Sequence, residues 1–461
     1  MGATKKTYRR KQMKEYDVIV IGGSAAGVTA AITARKYYPS KSILMIKNVK
    51  SVPIPCGIPY IFGTVGDPMK NLLPTDTMMA NYKVDVVFDE VVKIKRDFKL
   101  VMTKTNESYS YQKLVLANGS NPIVPSIPGT QLQNVFSIVK DAEYLQMMIE
   151  ATKIANDFVI VGGGFIGVEM AEELKKMRPD ARVSVVEMQS HCLQLVYDSD
   201  FCAIAEKALA EQQINLITNE TVSAIVGHKN VEKVMLASGK EISADCVILG
   251  IGCVPNTVLA QEAGLKIGPA KGISVNRYMQ TSEANIFACG DCAEKASFFD
   301  QKPSGLKLAS IATQEARIAG ANLFNLRRTN NGAIGVFSTF IGKKTFAAAG
   351  LTEREAQGRG YQIVTGEAEA INRHPGGMPG AEGLKVRLIF EAGSKVLLGG
   401  QIYGAASGGE LINVVGALIS QKTTAEDIVL FQAGTHPALT ASPVAYQLVN
   451  AAENALVKMT I

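Results

Sequence analysis

A short strand, a glycine turn and a small-residue helix occur twice in this chain, about 140 residues apart, and that repeat constrains its architecture most. In the first copy Asp17-Val18-Ile19-Val20-Ile21 is an apolar, β-branched run that predicts a buried strand starting near Tyr16. Gly22-Gly23-Ser24-Ala25-Ala26-Gly27 follows, then a helical stretch to about Tyr38 and a second strand over 42–46. In the second copy Phe158-Val159-Ile160-Val161 leads into Gly162-Gly163-Gly164-Phe165-Ile166-Gly167. A helix over 168–177 and a strand ending at Glu187 complete it. The first glycine makes the bend, the next small residue admits a pyrophosphate, and the last glycine allows close helix–strand packing. The helix N-terminus then turns N–H groups and positive dipole toward phosphate. Two such turns imply two dinucleotides, and a flavin with a nicotinamide is the economical pair.

Finer features assign ends to these sites. Glu187 closes the second strand pair, where an acid accepts ribose hydroxyls and repels a 2′-phosphate, so NADH is expected ahead of NADPH. Between Asn285 and Asp291 a strand ends in Gly290-Asp291, which places a carboxylate for the ribityl chain of FAD. Tyr111 to Ser120 is a further apolar strand closing in a glycine turn at Gly119.

At 461 residues the chain is expected to hold two to four domains. Six basic residues among the first fourteen carry the whole net charge of +6; without them 42 basic residues face 42 acidic ones. The body is therefore neutral, which argues against nucleic acid as a partner. The tail, residues 1–15, is expected to be solvated and dispensable for flavin binding and dimerisation. No apolar run is long enough for a transmembrane helix, and no signal peptide is evident. Seven cysteines, an odd number, then suggest a reduced cytoplasmic protein rather than a disulfide scaffold.

Taken together, in this order and spacing, the motifs resemble the FAD-dependent pyridine nucleotide–disulfide oxidoreductases, from about residue 16 to the C-terminus. The resemblance implies an α/β fold with two Rossmann-like dinucleotide-binding domains and a C-terminal α+β dimerisation domain. It implies an FAD domain over 16–125 and 256–333, an NAD domain over 126–255 and dimerisation over 334–461. The implied flavin contacts are Gly22, Ser24, Ala25, Ala26, Gly27, Ala117, Gly119, Asp291 and Ala309. Those for nicotinamide are Gly162, Gly164, Phe165, Ile166, Glu169, Glu187 and Gly252, with Phe165 as an aromatic gate over the flavin. Two positions depart from the pattern: Lys47 stands where an acid usually meets the FAD ribose, and Asn118 where Thr is usual.

Glutathione-type members carry two redox cysteines; this chain has one there, in Pro53-Ile54-Pro55-Cys56-Gly57-Ile58-Pro59-Tyr60. That resembles the single-cysteine branch of coenzyme A-disulfide, persulfide and sulfur reductases, NADH oxidases and NADH peroxidases. Cys56 is expected at a helix start, where the dipole would favour a thiolate. Cys289 and Cys292 form a C-x-x-C, but Asp291 between them is claimed by the flavin and no second ligand pair completes a zinc site. His436, in Thr435-His436-Pro437, resembles the histidine that reaches the partner subunit's site and shuttles protons, with Tyr446 a secondary candidate further on. Peroxidases and water-forming oxidases carry a histidine in the first glycine turn, where this chain has Ala25. The expected activity is reduction of a small disulfide, persulfide or sulfur substrate by NADH, coenzyme A being one candidate carrier. The alternatives are oxygen reduction at the flavin, or a flavoprotein whose duty is redox-dependent partner binding. A homodimer with a shared active site is expected.

Overall fold

The computed structural model describes residues 14–460. Lys14–Ile21 is an interior strand of a seven-stranded sheet, pairing in parallel with Ile43–Lys47 and with Ser108–Leu116. Asp85–Phe88 and Ile286–Ala288 extend the parallel part, while Leu100–Thr103 and Val91–Lys95 add an antiparallel edge. Val18, Ile19 and Val20 are fully buried, as a parallel strand covered on both faces requires. Residues 1–13 of the basic tail lie outside the described residues. Lys14 and Glu15 differ from the expected tail: they already pair with Tyr109 and Ser110, and the Lys14 ammonium lies over the Tyr109 ring. The polar start of the strand masked its first two residues.

The second sheet has five parallel strands, in the order Ile214–Ile217, Arg182–Val186, Asp157–Val161, Cys246–Leu249 and Val135–Ser137. The helix Phe165–Met177 packs on it through Val168, Ala171 and Leu174 and ends at Arg178, ahead of Pro179. A third, antiparallel sheet is built from Val336–Ile341, Lys344–Gly350, Leu397–Gly404, Gly383–Glu391 and Ile363–Ile371. The helices Gly408–Ser420 and Gln447–Thr460 bury their apolar faces in its core. The architecture is thus α/β with one mostly parallel and one fully parallel nucleotide-type sheet and a C-terminal α+β unit. No helix among the described residues is long and apolar enough to cross a membrane.

Two interlocks tie these units together. Ile58, Ile61 and Phe62, just beyond Cys56, bury themselves in the core of the second sheet rather than the first. At about 1.5–3 kcal/mol per fully buried apolar side chain this is a substantial bond between units. Arg387, on the third sheet, spans Asp200 at 2.5–3.0 Å and Glu367 at 2.6 Å, with Glu353 at 3.4 Å. Its guanidinium is well shielded, so each carboxylate counts for more than a surface pair. Replacing Arg387 by Ala should lower Tm by about 2–4 °C, and Lys, which lacks the planar fork, should recover less than half of that. Scanning calorimetry checks this; an unchanged Tm for Arg387→Ala would show that the Arg387 pairs add nothing to the union of the second and third units.

Candidate active site

Both glycine turns are built to the same mould. Gly22 and Gly162 have φ of +117° and +105°, and a Cβ added to either would lie 2.2 Å from Ala117 O or 2.8 Å from Gly250 O. Gly27 and Gly167 hold their helices against the turn so closely that an added Cβ would be 1.9 or 1.8 Å from the carbonyl oxygen of Gly22 or Gly162. Only glycine meets both demands. The helices Ala25–Tyr37 and Phe165–Met177 start at these turns, and Ala309–Asn322 begins at the same cleft. The cleft encloses about 2250 Å³.

Register makes Lys47 and Glu187 counterparts: Ile21 faces Ile46, Val161 faces Val186, and each next residue packs on the second glycine of its turn. Glu187 accepts the N–H of Gly163 at 2.6 Å and of Gln189 at 2.7 Å. A carboxylate oxygen has two acceptor sites, so both oxygens can still take a ribose hydroxyl. Lys47 is buried, pairs with Asp76 at 2.7 Å and donates to Lys50 O at 3.0 Å. Its charge is thereby neutralised within the chain, and the first turn has no strand-end acid. Asn118 donates to Asn256 O at 2.7 Å and leaves its buried Oδ1 without a protein partner, an acceptor free for a bound donor. The unobstructed turns, the three helix N-termini and this orphaned oxygen fit two dinucleotides.

Cys56 lies in a three-residue 3-10 turn, Pro55–Gly57, followed by another at Pro59–Ile61. No α-helix starts at Cys56, so the expected helix dipole is absent: Pro59 has no N–H to continue the hydrogen-bonded run beyond Ile58. Although its side chain reaches solvent, partial desolvation by the surrounding cleft and the Glu169 carboxylate push the thiol up from its ordinary pKa, and the Lys140 ammonium opposes them. All seven cysteines are free thiols, and Cys56 is the one that is exposed. Cys289 and Cys292 are buried; burial holds the Cys292 thiol at about 11, and among the described residues no three His, Cys, Asp or Glu side chains are grouped so as to hold a metal ion.

Asp291 accepts from Ser120 Oγ at 2.8 Å and from Lys140 Nζ at 3.3 Å. Burial works against its ionisation, but Lys140 and Ser120 outweigh that and hold the carboxyl below its usual range. The turn that carries it is fixed from beneath. Gly290 N–H donates to Glu315 at 2.9 Å, and Lys295 Nζ bridges Gly290 O at 2.7 Å and Glu315 at 3.3 Å. Burial raises Glu315 to about 7 despite Lys295. Glu169 is likewise raised to about 7 by burial and accepts the Thr339 hydroxyl at 2.8 Å. The Phe165 ring stacks on Phe337, 5.4 Å apart and 15° from parallel.

The cleft therefore brings together Cys56, Ser24, Ala25, Ala26, Ala117, Gly119, Asp291 and Ala309 with Gly164, Phe165, Ile166, Glu169, Glu187 and Gly252. Gly22 and Gly162 line it as well, while Gly27 lies behind it as a packing residue. His436 and Tyr446 lie outside it in a single chain. His436 is exposed, and its Nδ1 accepts the Ala438 N–H at 3.2 Å. His374 pins this segment through Thr440 O at 3.0 Å and Pro437 O at 3.1 Å. Tyr446 precedes the last helix rather than lying within it. Sequence reasoning missed Lys140, Ser120, Lys295, Glu315 and Phe337. The one available signal was an isolated Glu315 among small residues in an otherwise buried helical pattern.

Comparison with known proteins agrees with this geometry. Residues 16–316 match the pyridine nucleotide-disulphide oxidoreductase family, and residues 336–445 match its dimerisation domain. A CoA-dependent NAD(P)H sulfur oxidoreductase of Pyrococcus abyssi is 33% identical over 84% of this chain and 87% of that protein. An NADH oxidase of Methanocaldococcus jannaschii is 32% identical over 96% and 99%. Among solved structures, an NAD-dependent persulfide reductase from A. fulgidus superposes with a TM-score of 0.88 at 29% identity, covering 96% of this chain and 84% of that one. A reduced CoADR-RHD from Bacillus anthracis gives 0.89 at 27% identity, covering 98% and 81%. The chain belongs to the pyridine nucleotide-disulphide oxidoreductases, enzymes that use FAD and a pyridine nucleotide.

Proposed function

We propose that the protein uses NADH to reduce a low-molecular-weight disulfide or persulfide, with coenzyme A as a candidate carrier, through the single thiol Cys56. The observation that carries this reading is that Cys56 alone among the seven cysteines is exposed, and that it lines the cleft shared by both glycine turns. Bound FAD would relay an electron pair from NADH to sulfur. Cys56 as thiolate attacks the substrate disulfide, forming a mixed disulfide and releasing one thiolate. Two electrons then cleave the Cys56–sulfur bond, releasing the second thiolate and restoring Cys56. Disulfide, NADH and one proton thus yield two thiols and NAD⁺. Asp291, held by Ser120 and Lys140, orients the flavin, and Glu187 orients the nicotinamide adenosine. We further propose a homodimer in which His436 serves the cleft of a second copy as proton donor to the leaving thiolate, with Tyr446 nearby. Its exposure outside its own cleft supports this, as do exposed Leu439 and Val444 within the dimerisation match. Seven free thiols suit a reducing, cytoplasmic setting.

Oxygen reduction at the flavin is the second reading, favoured by the relative named NADH oxidase. Ala25 and Ala26 offer no acid–base group at the first turn to support it. Cys56→Ser separates the two. It should cut disulfide turnover more than about 10³-fold while NADH still bleaches the flavin anaerobically and oxygen-dependent NADH consumption persists. Wild-type disulfide turnover in this variant would rule out the thiol mechanism.

The charges around Cys56 fix the sign of a pH experiment. Lys140 favours thiolate, whereas Glu169 and Asp291 oppose it. The pH profile of Cys56 alkylation should therefore move to higher pH in Lys140→Met and to lower pH in Glu169→Gln. Coincident profiles would mean that these charges do not act on the thiol.

Nicotinamide selection should follow Glu187. NADH should exceed NADPH in kcat/KM by at least about tenfold, because a 2′-phosphate would meet the carboxylate, and Glu187→Gln should narrow the gap. Steady-state kinetics with both cofactors decide it; equal use by the wild type would contradict the assignment.

A further inference from the structure

The helix Phe165–Met177 carries Glu169, Glu172, Glu173 and Lys176 at helical spacings of three, four and seven, which places them on one face. Such a face would ordinarily be solvated, yet Glu172 and Glu173 are 2% and 1% exposed. Buried carboxylates need partners, and these come from two other parts of the chain. Glu173 accepts the Thr64 N–H at 2.7 Å, the Thr64 hydroxyl at 2.9 Å and Lys176 Nζ at 2.8 Å. Glu172 accepts the Gly342 N–H at 3.1 Å and lies 3.3 Å from Lys176. Glu169 takes the Thr339 hydroxyl. One helix, starting at the nicotinamide turn, is thereby bolted to the Cys56 segment and to the first hairpin of the third sheet.

We propose that Glu173 is a positioning residue for Cys56, holding Thr64 and with it the whole 56–64 segment in register with the helix that begins at the nicotinamide turn. The segment has no long helix or strand of its own, and its apolar anchors Ile58, Ile61 and Phe62 are bound by a non-directional force. Apolar burial fixes how deep the segment sits. The two hydrogen bonds to Glu173 fix where it sits along the helix, and so the spacing between thiol and nicotinamide turn. This rests on the reading of Cys56 as the redox thiol.

Three holoenzyme variants test it. Glu173→Ala removes both bonds, near-isosteric Thr64→Val removes only the hydroxyl bond, and Glu173→Gln keeps an acceptor for the Thr64 N–H. The kcat for coenzyme A disulfide should fall about tenfold in Glu173→Ala, since a misplacement near 1 Å is costly, and less in Thr64→Val, with partial recovery in Glu173→Gln. Anaerobic flavin bleaching by NADH and the KM for NADH should stay within about twofold of wild type, because the glycine turn is untouched. Labelling of Cys56 by a maleimide, read by mass spectrometry, should quicken as the segment loosens. Wild-type labelling and turnover in both Glu173→Ala and Thr64→Val would overturn the proposal, as would an equal loss of flavin bleaching and disulfide turnover. Faster labelling with unchanged turnover would uphold the anchoring and instead remove Cys56 from the reaction. If Glu173→Ala does not fold, Thr64→Val decides by the same two readouts.

Discussion

A cysteine without a helix or strand beneath it must be held by something else, and the buried acidic face of the helix Phe165–Met177 does this. Glu173 takes the far end of the Cys56 segment, and Glu172 and Glu169 take the hairpin of the third sheet. The same helix starts at the second glycine turn. The second glycine turn, the Cys56 segment and the unit that carries the dimerisation match are therefore tied to one rigid element. Burying two carboxylates is costly, and the cost is offset because every one has at least one N–H, hydroxyl or ammonium partner.

The two glycine turns show how one backbone mould accepts opposite chemistry. Their strands, φ angles and close approaches coincide, yet one strand ends in Glu187 and the other in Lys47. Backbone geometry fixes a phosphate site; the strand-end side chain decides what happens at the ribose. Glu187 keeps acceptor capacity facing the cleft. Lys47 turns its charge to Asp76 and the Lys50 carbonyl, which removes it from competition for a ligand. At the other end of the flavin region the logic is charge pairing again: Lys140 keeps Asp291 ionised, and the buried Lys295–Glu315 pair keeps its turn in place.

Much of this was legible in the sequence because glycine spacing and β-branched runs report local geometry directly. The two turns, both nucleotide sheets and the cleft location of Cys56, Asp291, Glu169 and Glu187 follow from motifs only a few residues long. What was not legible depends on contacts between distant residues. Pro59 divides the segment into two 3-10 turns, so the helix dipole expected at Cys56 is missing, and charges from Lys140 and Glu169 act there instead. Glu172, Glu173 and Lys176 look like a solvated helix face; only the packing of residues 58–64 and 339–342 against it buries them. His436 carries a recognisable motif, but a single chain leaves it outside the cleft.

The central claim is that one thiol, Cys56, forms the covalent bond to substrate sulfur. Its most direct test is a single-turnover trapping experiment with the holoenzyme. Protein with its thiol reduced and its flavin left oxidised, freed of NADH, is mixed anaerobically with coenzyme A disulfide, quenched in acid and digested. The account predicts one coenzyme A per chain, on the peptide that contains Cys56, and its removal by added NADH. An adduct on another cysteine, or turnover with no adduct at all, would contradict it.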